Sequence, residues 1–219
     1  MMNAEPPSPK PADPERALSL AYAPAAARYG LAALWMLDEQ LGTIVARTES
    51  PAVGQMRLTW WHDALRSLRT SRPVDPVLVA LADVPEIAPE SLLPLIDGWE
   101  ALLDPMPLPD EVLATYAAAR GGTLFRAAAA LLGGAANDPG EAGGVWALTD
   151  LAFRVSDRET AERALSLARG HAKPMRLPRP LAVLYALARR DLRRGLERAR
   201  RQGSPARVFR AVAAGLTGR

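Results

Sequence analysis

Cysteine is missing from all 219 residues, which excludes a disulfide framework, a thiolate nucleophile and thiolate-bound zinc. Histidine occurs only as His62 and His171, too far apart in sequence to suggest a His-rich metal site. No apolar run approaches the roughly 20 residues that span a bilayer. The opening MMNAEPPSPKPADPER lacks the charged-then-apolar layout of a secretory signal, so a cytoplasmic protein is expected. Its Pro, Ser and Glu predict a disordered lead-in over 1–12, ahead of one domain over 13–219. Alternation of β-branched or aromatic residues with polar ones is almost absent, which argues against strands.

What is there is helical. Ala, Leu and Arg, strong intrinsic helix formers, dominate the chain. Proline and glycine divide it into helices expected over 13–22, 24–46, 51–68, 75–83, 90–103, 109–132, 138–155, 158–171, 180–201 and 205–216. Asp13 and Ser50 are the expected N-caps, each followed by a proline at the first helical position. Gly121 and Gly122 interrupt the 109–132 segment, at about 1 kcal/mol each relative to Ala. They mark either a kink or a place where something packs on bare backbone. The net charge of +3 conceals an asymmetry. Fifteen of the 27 Lys and Arg, but only Asp191 and Glu197 of the 24 acids, fall from Arg163 onward. Two readings of that basic third stand: a solvated arginine-rich face, or a surface for an anionic partner such as a membrane, through residues 180–219. Nucleic acid is not expected, because no aromatic platform or reading-helix motif accompanies the charge.

Five collinear segments resemble the squalene/phytoene synthases: LAALWMLDEQLGTI, GQMRLTWWHDAL, LLPLIDGWEALL, YAAARGGTLFRAAAALLG and GGVWALTDLAFRVSD. The resemblance implies an all-α, single-domain, isoprenoid synthase-like helical bundle around a central cavity. RLTWW after ARTESPAVGQ is similar to a short subgroup of that family, which includes the mitochondrial assembly factor for respiratory complex I and tends to lack the catalytic motifs.

The family's prenyl transferases ionise an allylic diphosphate with Mg²⁺ held by aspartate pairs on two facing helices. Mg²⁺ needs hard oxygen ligands in a near-octahedral shell, and aspartates four residues apart share a helix face that can supply them. Here the first motif's two positions align with Gly42 and Ala46, and the second's with Arg154 and Arg158. Asp38, one turn before Gly42, is the only nearby carboxylate. It is either a lone metal-facing group or an ion-paired surface residue, with its neighbour Glu39 pointing about 100° away.

Asp150, Arg154 and Arg158 are spaced as an i, i+4 ladder, and the two arginines are alternatively a metal-free site for diphosphate or a lipid headgroup. Tyr116, Gly121 and Gly122 are further ligand-side candidates. Arg57, Trp60 and Trp61 are candidate partner contacts, with one of the tryptophans in the core. Asp97 and Glu100 match the family helix only in part, because Leu102 stands at its later acidic position. His62–Asp63 lacks a nucleophile and does not suggest a dyad.

The expected protein is therefore a non-catalytic family member without a cofactor. Its expected role is that of an accessory factor in respiratory complex I assembly, with a prenyl or lipid ligand. The alternative is a prenyl transferase condensing allylic diphosphates, for which Mg²⁺ would be required.

Overall fold

Proline and aspartate set the helix starts. In the computed structural model, which describes residues 9–198 and 200–218, α1 (Pro14–Leu20) opens with Asp13 accepting from the backbone N–H groups of Glu15 and Arg16. Asp75 does the same for α4 (Pro76–Ala82), and Asp157 for α9 (Arg158–His171). Ser50 precedes α3 (Pro51–Arg66) as expected, but its side chain makes no capping bond, so Pro51 alone pre-sets the turn.

The remaining helices are α2 (Ala25–Ala46), α5 (Leu93–Glu100), α6 (Asp110–Tyr116), α7 (Thr123–Leu131), α8 (Gly140–Ala152), α10 (Arg179–Arg194) and α11 (Pro205–Thr217). No strand occurs among the described residues, and no helix there is long and apolar enough to cross a membrane. The lead-in expectation falls mostly on residues 1–8, outside the described residues. Pro11 is buried, and the Ala12 and Asp13 amides donate to Glu39.

The helix expected over 180–201 stops at Arg194. Gly195 takes φ of +67°, a left-handed conformation that ends the helix, and its N–H closes on the Asp191 carbonyl. Leu192 and Leu196 therefore do not extend one stripe, and Ala199 lies outside the described residues.

α6 and α7 form one rod through a π-helical stretch, Ala117–Gly122. Its glycines are where backbone meets backbone. A Cβ built on Gly121 would lie 2.0 Å from the Gly143 carbonyl oxygen, and one on Gly143 equally close to that of Gly121. Only two glycines let α8 cross this near.

Around that crossing Leu31, Leu34, Trp35, Leu37 and Leu41 of α2 are buried, as are Leu95 and Trp99 of α5. Tyr116, Phe125, Ala147, Trp146 and Leu148 join them from the rod and α8. Each fully buried side chain of this size contributes about 1.5–3 kcal/mol.

Candidate functional site

At the bundle centre sits a guanidinium. Arg120, on the π-helical stretch, is almost completely buried, its carbon Cζ 4.2 Å from the Trp99 ring centre and 4.8 Å from that of Trp146. It donates through Nε to Asp38 Oδ1 at 2.8 Å and through Nη2 to Asp38 Oδ2 at 2.8 Å, a bidentate fork. The same Nη2 reaches Asp150 Oδ2 at 3.0 Å, and Nη1 donates to the Tyr116 hydroxyl. One cation thus bridges a carboxylate on α2 to one on α8.

Both carboxylates have further cations. Arg16 donates to Asp38 at 2.6 Å, and the Trp99 indole N–H donates at 2.9 Å. Asp150 accepts from Arg154 Nε and Arg200 Nη1, each at 2.9 Å. Arg200 continues to Glu15 at 3.3 Å and faces Asp191 at 3.5 Å. Arg207 of α11 then forks onto Glu15 at 2.6 and 2.8 Å and also donates to Asp191.

Electrostatics keeps the network charged. Burial pushes the Asp38 carboxyl up, but Arg120 and Arg16 outweigh it and hold the group below the usual carboxylate range. For Asp150 burial is likewise overcome, by Arg120, Arg154 and Arg200 together, and the carboxyl is strongly acidic. Burial lowers Arg120, and Asp38 more than restores it. Burial raises the Tyr116 phenol despite Arg120, so it stays neutral.

The expected site residues are placed as follows. Asp38 is not a surface residue; α2 turns it inward beneath Trp99. Glu39 faces the N-terminal segment. A Cβ on Gly42 would meet the Trp99 ring at 2.8 Å, so an aspartate side chain has no room there, and Ala46 is exposed at the helix end. The ladder of Asp150, Arg154 and Arg158 is broken after its first step. α8 ends at Ala152, and Arg158 opens α9, where it pairs with Glu162 and Glu197. Arg154 joins Asp150 to Asp13. Each of the two arginines is thus engaged by carboxylates of its own.

Tyr116 and Gly121 line the central crossing; Gly122 lies against Arg126. Trp61 is core, whereas Trp60 is 54% exposed beside exposed Arg57. Asp97 is exposed, Glu100 accepts from Gln55, and His62–Asp63 is a surface pair at 3.4 Å.

The residues at the centre do not fit Mg²⁺. The metal needs several free oxygens at about 2.1 Å. Both Asp38 oxygens already accept from guanidinium or indole donors, and Asp150 faces three arginines. Among the described residues no three His, Asp or Glu side chains are grouped to hold a metal.

Arg120, Arg16, Arg200 and Arg207 were not singled out from sequence. The available signal was Arg120 itself, one helical turn after Tyr116 on the same side as buried Leu113 and Leu124.

A family model described as squalene/phytoene synthase matches residues 10–219, nearly the whole chain. No curated protein and no solved structure gives a significant match. Helical order, all-α architecture and this match agree, and the chain belongs to the squalene/phytoene synthase family.

Proposed function

We propose that this chain is a non-catalytic member of its family, an accessory protein whose role is in the assembly of respiratory complex I. One observation carries the first part: Arg120 occupies the space between Asp38 and Asp150, the carboxylates that approach each other from the two helices where the enzymes hold Mg²⁺. Ionising an allylic diphosphate needs cationic charge free to meet the departing pyrophosphate. Here the buried cations are committed to buried carboxylates, and Trp99, Tyr116, Phe125 and Trp146 fill the surrounding interior.

The assembly role is supported by the likeness of RLTWW to the short subgroup and by the outward Arg57, Met56 and Trp60 that this segment presents on α3. Large exposed aromatic and Arg side chains are enriched where proteins meet.

The chemical test is incubation of the purified chain with farnesyl diphosphate and Mg²⁺. No pyrophosphate above the protein-free control is expected. Turnover that Asp38→Ala abolishes would overturn the non-catalytic reading. For the assembly role, deletion of the gene should lower NADH:quinone activity in membranes, and unchanged activity would overturn it.

A further inference from the structure

Helix α11 is built inside out. Its inward side carries Ala211, Ala214, Gly215 and the ion-paired Arg207; the Tyr22 ring packs so close to Gly215 that a Cβ there would lie 2.3 Å away. Its large apolar side chains face solvent. Phe209 is 78% exposed and Leu216 66%, with Val208 and Val212 also exposed. At about 100° per residue these four share an arc of roughly 100°. A stripe of this kind on a helix that is already packed needs something to cover it.

The flanks indicate what covers it. Before α11 an open cleft is lined by Arg190, Arg194, Arg198 and Arg201, together with the Pro205–Ala206 start of the helix. A second cleft, along α10, is lined by Arg169, Arg189, Arg193 and Arg194. Arg194, Arg198 and Arg201 form no ion pair among the described residues, unlike Arg200 and Arg207 beside them. The arginines at this end therefore divide: Arg200 and Arg207 neutralise buried acids, whereas Arg194, Arg198 and Arg201 line the cleft at the start of the helix that carries the apolar stripe.

We infer that α11 is a docking helix for the surface of an anionic phospholipid bilayer. Phe209, Val212 and Leu216 lie at the acyl boundary, and Arg194, Arg198 and Arg201 meet the lipid phosphates. Apolar area and headgroup charge act together in such helices. The inference does not rest on the non-catalytic reading, since binding is measured without any substrate.

The experiment is flotation of the full chain with vesicles of phosphatidylcholine alone, or mixed with phosphatidylglycerol, at low and high salt. The chain should float with the mixed vesicles, less as salt rises, and not with phosphatidylcholine alone. Phe209→Ser with Leu216→Ser, and separately Arg194→Glu with Arg198→Glu, should each lower the partition constant at least about tenfold. Because all four positions are exposed, the circular dichroism spectrum and melting point should be unchanged. Equal flotation with both vesicle types would overturn the inference, as would binding indifferent to both pairs of substitutions. Absence of flotation at low salt would do so too, whether or not the chain is retained on single-stranded DNA.

Discussion

Replacing Arg120 by Met tests the central arrangement most directly. The substitution keeps a long side chain between Trp99 and Trp146 but removes the cation that joins Asp38 to Asp150. Removing one member of a buried ion pair costs about 3–5 kcal/mol, because the partner is left charged in a poor solvent. Asp38 keeps Arg16 and the Trp99 indole, and Asp150 keeps Arg154 and Arg200, so the lower part of that range, about 3–4 kcal/mol, is expected. At about 2–4 °C per kcal/mol for a chain of this size, the melting point should fall by roughly 6–16 °C.

The sign of the pH dependence follows from the same geometry. With one cation fewer, burial raises the Asp38 carboxyl, so its charge becomes a cost at neutral pH that protonation relieves. The deficit of Arg120→Met relative to the parent should therefore shrink as pH is lowered. Asp38→Asn combined with Arg120→Met should cost at least about 1 kcal/mol less than the sum of the two single substitutions, a coupling that independent sites would not show. Thermal and urea unfolding followed by circular dichroism supplies all three quantities. A loss below about 1 kcal/mol, or strictly additive substitutions, would refute a bridging role for Arg120.

The parent should hold its stability from neutral pH down to about 5 and lose it progressively as pH falls below about 4. The reason is that Asp38, Asp150 and Asp13 all titrate below the ordinary value when folded; Asp150→Asn should flatten that acid limb in melting experiments. Gly121→Ala should cost about 3 kcal/mol or more, because its Cβ has no space against Gly143, while Gly170→Ala on α9, with nothing within 4 Å, should be neutral or stabilising by about 0.5–1 kcal/mol. Equal melting points for the two would contradict the tight crossing. Trp60→Ala should leave the melting point unchanged within experimental error, yet fail to restore NADH:quinone activity in a deletion strain; full restoration would remove this face from the assembly role.

Helix positions were largely readable, because Asp13–Pro14, Ser50–Pro51 and the 3.6-residue spacing of Leu31, Leu34, Trp35 and Leu41 are local signals. Where the expectation overran, at 180–201, one glycine outweighed strong helix propensity on both sides. The two carboxylates of the centre, Asp38 and Asp150, were also visible as candidates. Their surroundings were not. Arg120 lies 82 residues from Asp38, and Arg207 lies 192 residues from Glu15. Periodicity says which face a side chain occupies but not what that face meets. The arginine-rich end illustrates this: composition treats Arg200, Arg201 and Arg207 alike, although two of them turn inward and one faces water.

The bond between Glu15 and Arg207 has a consequence for biosynthesis. During translation Glu15 and Asp191 have no Arg207 guanidinium to meet until α11 has been made, so this part of the interior remains unfinished until that helix emerges from the ribosome. A product cut off before α11 would leave Glu15 and Asp191 with Arg200 alone and present quality-control proteases with a loosened target.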